Sequence, residues 1–366
     1  MKKSIYFYSY FGALVCFIFF LLLLYLGKPF AGWLLTASLS LLAIAMKGSE
    51  KTKGLSFTIV IFAAVATTLF YPQFFTEWGG YKLSNLIIPL IQLIMFGMGT
   101  GMSLKDFAGV VKSPKGVFIG VASQFIIMPL LGFTLSTISG LPPEIAAGII
   151  LIGCSPSGLA SNVMAYMANA NLALSITITS ITTLLAPLIT PLLMKVLAGA
   201  LIEIDVLKMM WDIFKMIIIP IGAGLVFNKL MQGKSEWLHK LMPKVSMFGI
   251  AFIITIITAA GRESLIRIGP WLIFLVLVHN LSGYLLGYWS ARLFKMPESD
   301  CRTVAIEVGM QNAGLASGIA KELGRLATLG LASAVFGPVM NITGSMLASW
   351  WQKRKPVNND SVRQTV

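Results

Sequence analysis

EVGMQNAGLAS, residues 307–317, sets a carboxylate, two side-chain amides and two glycines into the middle of an otherwise apolar run. The run opens at Thr303-Val304-Ala305-Ile306 and resumes at Gly318-Ile319-Ala320. At about 1.5 Å per helical residue, Gln311 lies about 12 Å past Thr303. That is near the middle of a hydrocarbon core about 30 Å thick. A charged side chain at such depth costs at least ~2.5 kcal/mol and marks an ion pathway. Whether Glu307 sits in a membrane at all is decided by the chain around it.

That chain is 57% hydrophobic and 11% charged, with a mean hydropathy of +0.84. Soluble domains run near about 25% charged. The apolar runs are long and uninterrupted, unlike the short alternating segments of a membrane β-barrel. The fold class is therefore an all-α polytopic membrane protein. The net charge of +14 comes from basic residues placed singly in short loops, which fits membrane orientation and excludes a nucleic-acid partner. Cys16, Cys154 and Cys301 form no CxxC pair and lie in or beside apolar stretches, so they read as inert thiols. His239 and His279, with no HExxH, provide no transition-metal site. The N-terminal run stays apolar to Leu26 with no small-residue cleavage site; it reads as an uncleaved first span.

Runs bounded by charge, Pro or Gly predict twelve spans: 5–26, 30–46, 55–72, 83–101, 116–138, 144–168, 172–197, 209–228, 244–260, 270–291, 303–323 and 326–351. Alternating the connections places nineteen Lys and Arg on the N-terminal side and eight on the other, with Lys215 inside a span. Such a bias puts both termini in the cytoplasm. GLAS occurs twice, at Gly158–Ser161 and Gly314–Ser317, each time in a span interrupted by glycine and polar residues. With the first two spans set aside, each interruption falls in the fourth span of a set of five. An odd number per set inverts one set against the other, the arrangement in which discontinuous helices meet at a binding site. The expected division is an extra N-terminal hairpin over 1–52, a first five-helix repeat over 53–200, an inverted second repeat over 201–352, and a cytoplasmic tail over 353–366.

Glu307 is the one acidic residue placed inside a span rather than at an edge, and a cation would make it tolerable. Alkali cations take oxygen ligands from carboxylate, amide, hydroxyl and carbonyl groups, and interrupted helices expose carbonyls at depth. Ser161 and Asn162 supply oxygens beside the first interruption, and Gln311 and Asn312 in the second. Ser175 and Thr179, at i and i+4, share one helical face. Gln124 is a further lone polar residue in mid-span. GCSPSG (153–158) is no G-x-S-x-G elbow and follows no strand, and Gly97, Gly99 and Gly101 read as close helix packing. No nucleophile–base pair appears, so an enzyme is not expected.

EVGMQNAGLA, GCSPSGLASNVMAYMANANLALSITITS, GVASQFIIMPLLG and VLVHNLSGYLLGY closely resemble the bile acid:sodium symporter family, particularly its bacterial members, over residues 55–351. The resemblance implies ten spans in two inverted repeats and two sodium ions. The first ion would be held by Ser161, Asn162, Ser175, Thr179 and Glu307. The second would be held by Gln124, Glu307 and Gln311 with the carbonyls of Val308 and Met310. It further implies a core of residues 116–197 and 270–351 that moves against a panel of 55–101 and 209–260. The hairpin over 5–46 has no counterpart in ten-span members. Ser157-Gly158-Leu159 departs from the Gly-Gly-polar sequence common in relatives. Gly158, Leu159 and Asn312 are the expected substrate contacts. The function implied is sodium-coupled import of an organic anion, either a bile-acid-like steroid carboxylate or a small carboxylate such as pantoate. It would act as a monomer in a bacterial inner membrane, with no organic cofactor. A proton-coupled carrier using Glu307 alone, or an exporter of metalloid oxyanions using Cys154, stays open on the residues.

Overall fold

The computed structural model describes residues 2–49, 52, 55–102, 113–231 and 236–354. Among them are fourteen α-helices: α1 Lys2–Tyr25, α2 Ala31–Met46, α3 Ser56–Phe70, α4 Ile87–Gly101, α5 Pro114–Ile138, α6 Pro143–Cys154 and α7 Ala160–Met167, followed by α8 Leu172–Ala198, α9 Val206–Met231, α10 Glu236–Ala260, α11 Arg262–Leu293, α12 Glu298–Gly309, α13 Ala313–Glu322 and α14 Gly330–Gln352. A small hairpin, β1 Glu77–Trp78 with β2 Tyr81–Lys82, lies between α3 and α4. Eight helices (α1, α4, α5, α8, α9, α10, α11 and α14) carry stretches long and apolar enough to cross a membrane. The chain is thus a multi-pass helical membrane protein.

Local chemistry sets the helix ends. Proline occupies the first turn of α5 and α6, where its missing N–H costs nothing. Asn171 caps α8 by accepting from the Leu174 amide at 3.1 Å, and Asn312 caps α13 by accepting from Leu315 at 3.0 Å. Charge marked the edge of the apolar slab rather than the end of the helix. α10 starts at Glu236, α11 at Arg262 and α12 at Glu298, five to eight residues before the expected spans 244–260, 270–291 and 303–323. Charged residues do not interrupt backbone hydrogen bonding: Arg262 donates to the Leu69 carbonyl, Arg302 pairs with Glu298, and Pro270 inside α11 does not end that helix. The expected spans 144–168 and 303–323 are each two helices: α6 and α7 separated at 155–159, α12 and α13 at 310–312. Several of the basic residues used for orientation (Lys51, Lys53, Lys105, Lys112, Lys234, Lys355 and Arg363) lie outside the described residues, as does most of the expected tail.

The helices pack in two groups. α1 lies on α2, α2 on α3, and α3 on α10, while α4 packs against α9 and α10. The other group joins α5 to α6, α8, α11 and α12, and α11 to α12 and α14. The α4–α9 contact is backbone to backbone. A Cβ on Gly99 would collide with the Ile221 carbonyl, and one on Gly224 with the carbonyl of Phe96. That is the small-residue packing expected where lipid provides no hydrophobic drive between helices. Gly97 packs on Met242, while Gly101 meets nothing.

Candidate functional site

The two interruptions cross in the interior. Ser157 and Gln311 form an isolated antiparallel bridge; the Gly158 amide donates to the Met310 carbonyl at 2.9 Å, and the Asn312 amide to Pro156 at 2.8 Å. Glycine is required at 158, because a Cβ there would stand 2.6 Å from the Gln311 carbonyl oxygen.

Away from water, every carbonyl freed by an interrupted helix needs a partner. At the end of α6, Ser155 Oγ donates to Leu151 at 2.9 Å, Thr190 Oγ1 to Cys154 at 2.8 Å and Gln124 Nε2 to Ser155 at 2.9 Å. At the end of α12, Ser157 Oγ donates to the Glu307 carbonyl at 3.1 Å, Gln311 Nε2 to Val308 at 2.6 Å and Asn280 Nδ2 to Gly309 at 2.8 Å. Thr343 in turn donates to Asn280 Oδ1 at 2.5 Å. Sequence reasoning met Ser157 only as a departure from relatives and did not single out Thr190, Asn280 or Thr343. A lone Asn or Thr in an apolar helix is the signal they left, and it does not say which carbonyl the side chain serves.

Glu307, on α12, is fully buried. Its Oε1 accepts from Ser161 Oγ at 2.7 Å and Ser175 Oγ at 2.5 Å, and its Oε2 accepts from Thr179 Oγ1 at 2.8 Å. Asn162 Oδ1 lies 2.9 Å from Ser175 Oγ and 3.5 Å from Thr179 Oγ1, and the Ser161 and Thr179 hydroxyls are 3.3 Å apart. Three helices supply this cluster: α7 through adjacent Ser161 and Asn162, α8 through Ser175 and Thr179 one turn apart, and α12 through the carboxylate. Each hydroxyl carries one proton. The three hydroxyls make six close contacts with one another, the carboxylate and the Asn162 oxygen, so three protons cannot serve all of them. An oxygen cage short of protons around an anionic centre is suited to a cation.

The structure also gathers Gln124, Gln311 and Val308. Gln124 Nε2 donates to Gln311 Oε1 at 2.8 Å, and Gln311 reaches the Val308 carbonyl as above. Among the described residues, buried Gln124 Oε1 has no hydrogen-bond partner, so this second group also holds an uncommitted acceptor. Met310 contributes its carbonyl to the Gly158 bond. The Glu307 carboxylate accepts from the first cluster; the second group is joined to it through the adjoining backbone at Val308. Gly158 is buried, Leu159 half-buried, and Asn312 nearly buried with its side-chain oxygen committed to the α13 cap.

No basic side chain neutralises Glu307 among the described ion pairs. Lys215 pairs with Asp212 at 2.9 Å. Arg302, which shares α12 with Glu307, pairs with Glu298 at 3.0 Å. The ion pair of Glu144 with Arg325 joins the start of α6 to the loop after α13. Two further acids are buried, Asp212 in the second turn of α9 and Asp300 in the first turn of α12; Asp300 accepts from Asn171 Nδ2 at 2.9 Å, tying the α8 cap to α12.

A helical membrane protein whose interrupted helices cross beside a buried, oxygen-caged carboxylate is built as an ion-coupled carrier. Comparison with known proteins gives the family. Residues 88–268 match the model of the Sodium Bile acid symporter family. The chain is 38% identical over 297 residues, 81% of its own length and 90% of the relative's, to the sodium-dependent transporter YocS of Bacillus subtilis (strain 168). It is 32% identical over 272 residues, 74% and 68% of the two chains, to the probable sodium/metabolite cotransporter BASS1, chloroplastic, of Arabidopsis thaliana. It is 34% identical over 243 residues, 65% and 69% of the two chains, to the ileal sodium/bile acid cotransporter of Mus musculus. The chain belongs to the sodium bile acid symporter family. It is a sodium-dependent membrane transporter and not an enzyme.

Proposed function

We propose that the protein imports an organic anion, either a bile-acid-like steroid carboxylate or a compact carboxylate such as pantoate, together with two sodium ions. The carrying observation is the fully buried Glu307 carboxylate, ringed by hydroxyl and amide oxygens and lacking a basic partner among the described ion pairs. The first ion takes Ser161, Asn162, Ser175, Thr179 and Glu307. The second takes Gln124, Gln311 and the Val308 and Met310 carbonyls, with Glu307 supplying the counter-charge. The anion lies against Gly158, Leu159 and Asn312. There the N-termini of α7 and α13 present their positive dipole ends, and α7 has no side-chain cap.

In this reading twelve spans cross a bacterial inner membrane with both termini cytoplasmic. Residues 53–200 and 201–352 form inverted five-span repeats, preceded by the hairpin over 1–52 and followed by the tail over 353–366, and the protein works as a monomer. On the side this reading makes the outer one, Lys321 Nζ donates to Ser84 Oγ and Asn85 Oδ1, both at 3.1 Å, tying α13 to the entry of α4. At the opposite end of the crossing, Val163 and Tyr166 of α7 are exposed. Two sodium ions with one monoanion carry one net positive charge inward. At 100 mV that supplies about 2.3 kcal/mol, roughly fifty-fold accumulation before the sodium gradient is counted.

The test is uptake by proteoliposomes of a panel of steroid and short-chain carboxylates, with and without an inward sodium gradient. Uptake of at least one anion that collapses when choline replaces sodium is expected. Uptake that persists in sodium-free acidic medium would overturn sodium coupling, and sodium-driven flux of cations alone would overturn the anion.

A further inference from the structure

A cleft of about 490 Å³ opens between α11, α14 and the start of α12, apart from the helix crossing. Small-molecule sites run about 300–1,000 Å³, so this one is large enough for a ligand. Its wall is apolar along Leu281, Leu285 and Leu347, and one end carries Trp350, Arg302 and Arg354. Leu281 and Leu285 are about half exposed, so the cleft faces outward from the bundle, where lipid lies.

The charge at that end is uneven. Arg302 is nearly buried and committed: it pairs with Glu298 at 3.0 Å and donates to the Ala168 carbonyl at 3.0 Å and that of Trp351 at 3.3 Å. Glu298 is also held by the Tyr288 hydroxyl at 2.7 Å. Arg354 is exposed, with its guanidinium 4.0 Å from the centre of the Trp350 ring. Among the described residues it has no carboxylate partner. Stacked aromatics (Tyr288 on Trp351 at 6.1 Å) and adjoining Trp350 fix the depth, because Trp and Tyr concentrate where hydrocarbon meets headgroups. A leucine-lined groove, an aromatic girdle and one unpaired guanidinium thus follow one another in the order of a phospholipid's chain, glycerol and phosphate. Guanidinium is the side chain best matched to a phosphate's geometry.

We propose that this cleft is a binding site for an anionic phospholipid, its phosphate on Arg354 and an acyl chain along Leu281, Leu285 and Leu347. The inner wall gives the site a route to the transport machinery. The Tyr284 hydroxyl donates to the Met340 carbonyl at 3.2 Å and lies 3.4 Å from Thr343 Oγ1. Thr343 holds Asn280, which holds the Gly309 carbonyl at the end of α12. A lipid pressed against Tyr284 and Thr343 therefore lies two hydrogen bonds from the second interruption. The placement of the cleft does not depend on which anion is transported.

Native mass spectrometry of the purified protein, titrated with phosphatidylglycerol or phosphatidylcholine of matched chains, tests the site. The wild-type protein should retain phosphatidylglycerol preferentially. Arg354→Gln, at an exposed position, should weaken that retention about five-fold, the contribution of one basic residue near a charged headgroup. Leu285→Trp, which fills the groove from its exposed wall, should reduce retention of both lipids there. Equal retention of both lipids by the wild-type protein and Arg354→Gln would overturn the proposal. Displacement of phosphatidylglycerol by millimolar inorganic phosphate would show a free-anion site instead of a lipid site. Dimers in the wild-type spectra that Leu285→Trp removes would show that a second copy of the chain covers the cleft.

Discussion

Replacing Glu307 with Gln removes one charge and almost nothing else. Glutamine keeps the shape and one carbonyl oxygen, so the Ser161 and Ser175 hydroxyls, at 2.7 and 2.5 Å, retain an acceptor. Thr179, at 2.8 Å, can turn to accept from the new amide. The sodium-free protein should therefore unfold at nearly the wild-type temperature, or slightly above it, since a buried carboxylate without a basic partner is costly. With sodium the two proteins should part. A cation in this dry cage loses its only formal counter-charge, and a buried ion stripped of its partner typically costs ~3–5 kcal/mol. At 1.4 kcal/mol per decade, sodium affinity falls by roughly two to three orders of magnitude. At a sodium concentration about 100 times the wild-type dissociation constant, binding stabilises the wild-type fold by about 2.7 kcal/mol. In the variant the same concentration gives about 0.4 kcal/mol or less. The assay is thermal unfolding of purified protein in sodium chloride against choline chloride at matched ionic strength. A Glu307→Gln protein that keeps the wild-type sodium shift would refute the ion-site assignment and make the cluster structural.

Gln311→Ala removes one neutral ligand, frees the Val308 carbonyl and leaves Gln124 bonded to the Ser155 carbonyl alone; sodium affinity should fall about tenfold in the same titration, well short of the Glu307 effect. Gly158→Ala forces a methyl group against the Gln311 carbonyl, 2.6 Å away, so the backbone bridge must open. We expect a loss of about 1–3 kcal/mol on thermal unfolding together with loss of sodium-driven uptake, and wild-type uptake would show that the crossing does not need the bridge. For topology, Lys208→Cys should react with an impermeant maleimide on intact cells, and Lys295→Cys only after permeabilisation. The reverse pattern would overturn the proposed orientation.

Much of the fold was legible because a bilayer imposes a simple rule on sequence. Long apolar runs bounded by charge must be helices, and every α-helix the structure describes falls on an expected span. The departures share one cause. Hydropathy registers where charge interrupts an apolar run, whereas backbone hydrogen bonding does not stop at a charged residue, so Glu236, Arg262 and Glu298 start helices that composition starts later. Part of the candidate site was legible from polar residues at depth: Glu307, Gln311, Ser175 and Thr179 stand out because hydrocarbon tolerates them poorly. What the sequence could not reveal was pairing. Nothing local to Asn280 says that it serves the Gly309 carbonyl, and nothing local to Thr190 points to Cys154. Cys154 itself stood out as a thiol beside an interruption, a possible metalloid contact. The structure buries it completely and employs its carbonyl, held by Thr190.

In the proposed reading, the same shortage of protons that makes the Glu307 cage fit a cation also couples the ion to the anion. Without sodium, α7 is held to α12 by the Gly158–Met310 and Asn312–Pro156 backbone bonds and by three hydroxyls whose close oxygen contacts outnumber their three protons. A cation bound at once by α7, α8 and α12 removes that conflict and fixes the first turn of α7, where Ser161 and Asn162 sit. That turn is also the uncapped N-terminus whose amides face the anion. Sodium therefore orders the amides that hold the anion, and the anion's negative charge in turn favours the cation beneath it. Because linkage is reciprocal, whatever factor sodium adds to anion affinity, the anion must add to sodium affinity. Each ligand alone binds more weakly than it does beside the other, and the carrier is kept from moving either one unaccompanied.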